Sequence, residues 1–466
     1  MSELLESAVE EVPPTDGTLL APPPSGRWRL RQEIWSLSWP VILSFALDSI
    51  LGLTSMLMVG RLGAQAVGAV GLGSQVLGAV RSGIGAVGTG TVALVARDIG
   101  GGDRDHAEEA LKQSVIFGVL ISTVIAIPVI VFAKQALALF QVTGPLADVG
   151  ARYLQIVMLA EPFQGIFLMC AAAIRGAGDT RTPLWIGAVI DLFAIGANYV
   201  LIFGKLGFPA LGVDGSAIAT LVAIALGGIL FFWALSLEGA ALNFRWKGLW
   251  PDFNLGWRIV KIGYPAAIEQ LVIQFGFFAY VAFIAHYGEK SMAAYFIGIR
   301  ILALSFLPGF GFSAAAATLV GQGLGAKDKD FSRRAGWEST YMAVVMMTAL
   351  GLIIYFFAHP IARIFIDDPA VIALTITFMY ALGAAQPLMA VDWTLTGALR
   401  GAGDSQFPLL ASVAGFYGLR LALTIAIVHF GGAVTWVWWS LLADYMMRSA
   451  LKWWRFGSGG WETIQV

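Results

Sequence analysis

Cysteine is all but absent from this sequence. Among 466 residues there is one, Cys170, which excludes an internal disulfide framework and a cysteine-cluster metal site. Charge is scarce as well: Asp, Glu, Lys and Arg make up 13% of the chain, about half the ~25% of an ordinary soluble domain. Lys and Arg number 29 against 30 Asp and Glu, and this near balance argues against binding nucleic acid through a basic face. The four histidines, His106, His286, His359 and His429, are scattered and lack HExxH spacing. No P-loop or nucleophile triad appears. Gly71, Gly73 and Gly78 make no nucleotide fingerprint, because an apolar run and not a strand precedes them. The expectation is a non-enzyme without cofactor or bound metal.

What the sequence has instead is apolar length. Hydrophobic residues make up 58% of the chain, and they come in runs of the ~20 residues needed to cross a ~30 Å hydrocarbon core as a helix. Twelve such runs are expected: 35–59, 66–96, 110–132, 147–174, 183–204, 212–237, 259–286, 292–322, 335–358, 370–399, 407–430 and 432–454. Backbone amides in lipid must bond within their own segment, so helices follow, and the alternating ten-residue segments of a barrel are missing. The class is an all-α polytopic membrane protein. Lys and Arg gather at the termini and after even-numbered spans, as in Arg97 and Arg104, Arg175 and Arg181, Arg245 and Lys247, and Arg448 to Arg455. That bias puts both termini in the cytoplasm; the expected location is the plasma (inner) membrane.

The first 32 residues differ from the rest. Glu3, Glu6, Glu10, Glu11 and Asp16 precede a run of three prolines, Pro22 to Pro24, where a secretory signal needs a basic start and an apolar stretch. Residues 1–32 read as a disordered cytoplasmic tail, closed by Arg27, Arg29 and Arg31.

The chain also repeats itself. A shift of 225 residues carries Pro40 onto Pro265, Gly63 onto Gly288, Leu94-Val95 onto Leu319-Val320, and Gly100 onto Gly325. The same shift carries Pro162 onto Pro387 and Arg175-Gly-Ala-Gly-Asp179 onto Arg400-Gly-Ala-Gly-Asp404. One constant shift over about 145 residues marks a true internal repeat. Each repeat holds six helices, an even number, so the two cross in the same direction. The expected architecture is two pseudo-symmetric six-helix lobes, 33–237 and 258–456, joined by a cytoplasmic linker at 238–257 and followed by a tail at 457–466. Transporters built from such repeats bind substrate between the lobes and rock around it.

These residues resemble the MATE family of multidrug and toxic-compound extrusion transporters. The likeness rests on Trp39-Pro40, Val59-Gly-Arg-Leu-Gly63, Ala93-Leu-Val-Ala-Arg97, Ile174-Arg-Gly-Ala-Gly-Asp-Thr180 and Leu201-Ile-Phe-Gly-Lys-Leu-Gly-Phe-Pro209. In the second half it rests on Gly263-Tyr-Pro-Ala-Ala-Ile-Glu-Gln270 and Ala398-Leu-Arg-Gly-Ala-Gly-Asp404. The resemblance implies a MATE/MOP-type fold and an efflux antiporter. It would act as a monomer among membrane lipids, exporting small amphipathic, cationic organic compounds in exchange for H⁺ or Na⁺. A lipid-linked precursor flippase of the same superfamily is the alternative, disfavoured by the scarcity of basic residues within spans.

The acids that the family uses are not where it keeps them. Its span-1 aspartate position is Ser55 and its span-5 position Asn198; the C-terminal glutamate and aspartate positions are Ile273 and Met389. Asp48 and Asp191 each stand seven residues before Ser55 and Asn198, two helical turns or ~10 Å along the axis on the same face. Asp48, Asp191, Asn198 and Ser55 are therefore the candidate cation-coupling set, with Na⁺ at the two acids as one option. A carboxylate inside a span is costly unless protonated, paired or hydrated, which suits a group that gains and loses a cation. Candidates for the substrate cavity are Glu161, Glu269, Gln270, Gln274, Gln386, Asp392 and Tyr417. Arg81, Arg300 and Arg420 lie deep in spans and are expected to neutralise acids.

Overall fold

The computed structural model describes residues 26–138 and 144–464; the expected tail up to residue 25 lies outside them. The described residues contain helices and no strand, in twelve successive spans. They are Arg27–Gly60 (span 1), Ala64–Gly100 (2), Arg104–Val131 (3), Pro145–Met158 with Glu161–Gly176 (4), Arg181–Phe203 (5) and Gly212–Ala234 (6). The second set is Phe253–Ala285 (7), Glu289–Ser305 with Leu307–Gly325 (8), Lys329–Phe356 (9), Pro369–Gly401 (10), Gln406–His429 (11) and Val434–Gly457 (12). Short helices Ala133–Ala138 and Ala358–Phe365 follow spans 3 and 9, again 225 residues apart. Span 4 bends by 48° between Met158 and Glu161, just before Pro162, and span 11 contains a π-helical stretch, Ala414–Leu421.

Length and apolarity alone qualify 10 of these helices as membrane-crossing, and counting bent span 4 as one raises that to 11. Span 12 is the least apolar, since Asp444, Arg448, Lys452 and Arg455 fall on it. Its Asp444, Arg448 and Lys452 are buried, so the charges point into the lobe and leave an apolar outer face.

The amino-terminal end corrects the sequence reading. The helix of span 1 begins at Arg27, so residues 27–32 belong to it and not to the tail. Arg31 donates from Nε to Glu338 of span 9 at 2.9 Å and lies 4.9 Å from the Tyr341 ring centroid. The carboxyl-terminal segment folds back as far as Ile464. Trp461 stacks on Phe456 with ring centroids 4.6 Å apart and donates its indole N–H to the Phe456 carbonyl. The linker after span 6 is pinned to span 3: Arg104 donates to the Ala240 carbonyl at 2.8 Å and Gln113 to that of Trp250 at 3.1 Å. Hydrogen bonds to the Glu108 and Asp105 carboxylates hold the Arg245 guanidinium above its usual pKa.

The repeated Arg-Gly-Ala-Gly-Asp element is a helix stop followed by a helix start. Gly178 and Gly403 take φ of +99° and +89°, the left-handed conformation that ends a helix and that glycine adopts without strain. Asp179 then accepts from the amides of Arg181 and Thr182 and caps span 5. Thr180 points back to span 1, donating to the Ser36 carbonyl at 3.4 Å. That carbonyl is free because Pro40, four residues on, has no N–H to offer it.

Two large hydrophobic cores form, one per lobe, with a smaller cluster of spans 8, 10 and 12 around Phe456 and Trp461, and spans 1 and 7 each reach into both large cores. Leu255, Ile259 and Ile262 of span 7 belong to the first core. Leu30, Ile34 and Leu37 of span 1 belong to the second. Backbones meet closely where the lobes touch: a Cβ on Gly263 would sit 2.3 Å from the Ala86 carbonyl, and one on Gly100 1.9 Å from the Gln322 carbonyl. Gln322 donates across to the Gly176 carbonyl at 3.1 Å, and Arg97 to that of Ile464 at 3.0 Å. All of these contacts lie in the half of the molecule nearer the two chain ends, here called the terminal face.

Two glycine substitutions should separate stability from lobe closure. Gly401→Ala places a Cβ 2.1 Å from the Ala317 carbonyl within the second lobe. It should lower unfolding stability by about 1–3 kcal/mol, as overpacking does, measured by thermal denaturation. Gly100→Ala wedges between lobes instead. It should raise labelling, from the terminal face, of a cysteine placed at Thr89 in a Cys170→Ala background; unchanged labelling would mean the lobes do not part there.

Candidate functional site

A charge placed mid-span must meet water, a partner or both, and the two lobes meet this requirement differently. In the first lobe Asp48 is exposed on span 1 and Asp191 half-buried on span 5. Spans 1 and 5 pack together, and the two carboxylates stand within electrostatic reach of each other. Asp48 also feels the charges of Arg175 and Arg81. A carboxylate in the middle of an apolar helix is stable there only where water reaches it or a partner neutralises it. On the same seam, Asn198 donates from Nδ2 to Ser55 Oγ at 3.5 Å and to the Ala194 carbonyl at 2.9 Å, while its Oδ1 has no partner among the described residues. The structure thus brings together both pairs that the sequence singled out, one above the other.

Glu161 is fully buried in the first turn after the span-4 bend and accepts from Arg81 Nε at 3.1 Å. The second Glu161 oxygen and Arg81 Nη2 are unpartnered among the described residues. Arg81 therefore neutralises an acid, as expected, and Glu161 sits behind it.

The second lobe keeps its charges inside. Glu269 accepts from Arg400 at 2.7 Å and from Ser412 at 2.6 Å. Lys452 binds Asp392 and Thr396 Oγ1, the latter at 2.7 Å. Asp444 holds Arg448 at 2.6 Å and lies 3.8 Å from Arg420, whose guanidinium is 4.3 Å from the Tyr280 ring centroid. Glu269 and Asp392, put forward as cavity residues, are buried and neutralised within the lobe. Gln386 is fully buried against Gly351 of span 9, away from any cavity wall described here. Tyr417, in the π-helical stretch, donates to the Val272 carbonyl at 2.7 Å and ties span 11 to span 7. Gln270 and Gln274 are exposed on span 7, and Arg300 is exposed on span 8.

Between the lobes lies a cavity of about 250 Å³. Its walls come from spans 1, 2 and 4 of one lobe and spans 8 and 10 of the other, and lining residues pair by the repeat: Gly88 with Ser313, Thr89 with Ala314, Arg175 with Arg400. The cavity therefore straddles the pseudo-twofold axis. Sequence reasoning did not offer Arg175 and Arg400, the arginines that line it. It placed Arg175 and Arg448 among the residues flanking the membrane, whereas Arg175 lines the cavity and Arg448 is buried against Asp444 within the second lobe. For Arg448 a signal was available, since Asp444, Arg448 and Lys452 recur every four residues on one helical face.

Two repeated six-helix lobes with a cavity on their common axis define an integral membrane protein of the transporter class. The chain belongs to the MatE family, whose model matches residues 40–200 and 265–426. It is 31% identical to a probable multidrug resistance protein NorM of Thermotoga maritima, over 94% of each chain. Its fold is similar to that of a MOP superfamily transporter from Pyrococcus furiosus, with a TM-score of 0.85 and 19% identity, covering 94% of this chain and 98% of that one. It is equally similar, at a TM-score of 0.85 and 18% identity, to a multidrug resistance MATE family transporter in an outward-facing conformation, covering 94% and 99% of the two chains.

The second-lobe pairs give a stability test. Lys452→Met strands Asp392 in the interior and should cost about 3–5 kcal/mol. Lys452→Met with Asp392→Leu should recover most of it, both read from thermal denaturation of purified protein. A double variant as unstable as the single would show that the pair is not the unit of stability.

Proposed function

We propose that the protein is an efflux antiporter that exports amphipathic, cationic organic compounds in exchange for H⁺ or Na⁺ by alternating access. The observation that carries this reading is the pair Asp48 and Asp191, two carboxylates within electrostatic reach of each other on adjacent spans 1 and 5. Cation uptake there removes their mutual repulsion and changes the charge of the first lobe. An ion drives transport only by binding the two facing states unequally, and Asp48 stands on span 1, whose Val41 and Phe45 line the interlobe cavity. With the termini in the cytoplasm and the membrane taken as the inner membrane, lobes joined at the terminal face are in the outward-facing state, ready to take up the coupling ion and release substrate.

Protons suit the site better than sodium, because Asp48 and Asp191 have no surrounding cage of oxygen ligands among the described residues. A flippase for lipid-linked precursors is the second reading, favoured by Arg175 and Arg400 sharing one cavity. The pairing of Arg81 and Arg420 with acids and the cavity's modest volume weigh against it.

Asp48→Asn and Asp191→Asn should each lower ion-driven efflux at least tenfold without loss of protein from the membrane. Proteoliposomes loaded with a fluorescent organic cation, energised separately by a pH or a sodium gradient, provide the measurement. Full transport by both variants would remove the two acids from the mechanism.

A further inference from the structure

Arg175 and Arg400 are repeat images that line one cavity from opposite lobes, and their surroundings differ at one telling position. Arg400 has a carboxylate in contact, Glu269 at 2.7 Å. The repeat image of Glu269 is Ser44, whose hydroxyl donates within its own helix to the Pro40 carbonyl at 2.9 Å. Arg175 therefore lacks the partner that its counterpart owns. Among the described residues its guanidinium makes no hydrogen bond or ion pair, and the nearest counter-charge, Asp48, acts on it only across space.

The rest of the wall sharpens the point. Val41, Phe45, Leu168 and Phe310 make it apolar, Thr89 and Ser313 add hydroxyls, and no acid lines it. A guanidinium facing such a cavity without a contact anion is costly. An anion bound against it relieves that cost. The planar fork of arginine matches a carboxylate with two parallel hydrogen bonds. A volume of about 250 Å³ accepts the carboxylate end of an organic molecule and leaves the remainder in the cleft. Asp48, one turn beyond the cavity-lining Phe45 on span 1, supplies the opposite pole for a cationic end.

We propose that Arg175, with Arg400 across the axis, forms a carboxylate-binding subsite at the floor of the interlobe cleft, so that zwitterionic amphiphiles are the preferred substrate class. This rests on the reading of the protein as an exporter of organic compounds, and equilibrium binding without any gradient keeps the two claims separable.

The probes are a rhodamine with a free carboxylate and its methyl ester, which share the same cationic ring. Binding is followed by fluorescence anisotropy on the full-length protein in uncharged detergent. The wild type should bind the acid about tenfold more tightly than the ester, the scale of one charge-assisted hydrogen-bonded pair. Arg175→Gln should bring the ratio to one with ester affinity unchanged, which also reports that the variant is folded. Arg175→Lys, which keeps charge but not the fork, should fall between. Equal wild-type binding of acid and ester would overturn the subsite, as would an equal loss of both in Arg175→Gln. If Arg175→Gln leaves the dye ratio intact and instead loses co-purified anionic phospholipid, a lipid headgroup is the occupant and the substrate assignment falls. Absent gradient-driven efflux with an intact binding ratio would overturn the transport reading and leave the subsite standing.

Discussion

An ion inside a bilayer must be matched by an opposite charge or reached by water, because the hydrocarbon offers it neither. That constraint divides the molecule. The second lobe gives each of its buried acids a basic partner: Glu269, Asp392 and Asp444 are each held by a basic side chain from another helix or another turn. The first lobe leaves Asp48 open and Asp191 partly so, and its interior pair, Arg81 with Glu161, keeps an unmatched atom on each side. A lobe whose charges depend on solvent is the one whose electrostatics an arriving cation changes.

Much of the fold was readable before any coordinates. Helix number came from the lengths of the apolar runs, and the repeat followed from proline, glycine and the Arg-Gly-Ala-Gly-Asp element recurring at one fixed shift. Those residues are informative because backbone geometry dictates them: a left-handed stop at Gly178 and Gly403, and a proline whose orphaned carbonyl finds Thr180. Span 12 was readable only as length, since its charges look like a membrane flank until their four-residue spacing is noticed. The bend at Met158–Glu161 falls where Pro162 opens the next helix, while the π-helical turn of span 11 is not encoded in a linear pattern of hydrophobicity.

The candidate site was legible in a different way. Displacement of acids by two turns on spans 1 and 5 is a statement about helical faces, and Asp48, Asp191, Ser55 and Asn198 do fall on one seam. Side-chain pairing was not legible. Glu269, Asp392 and Gln386 look like cavity residues along the chain because a polar residue in an apolar run reads the same whether it turns toward a neighbour helix or toward water. The partners Arg400 and Lys452 lie 131 and 60 residues away, beyond what any local pattern carries.

The crossing of spans 1 and 7 into each other's hydrophobic cores has a consequence for how the protein is made. When the amino-terminal half has left the ribosome, Leu30, Ile34 and Leu37 have no neighbours to pack on, and the groove that will take Leu255, Ile259 and Ile262 is empty. Each lobe's core is therefore completed only by a helix that the other half of the chain supplies.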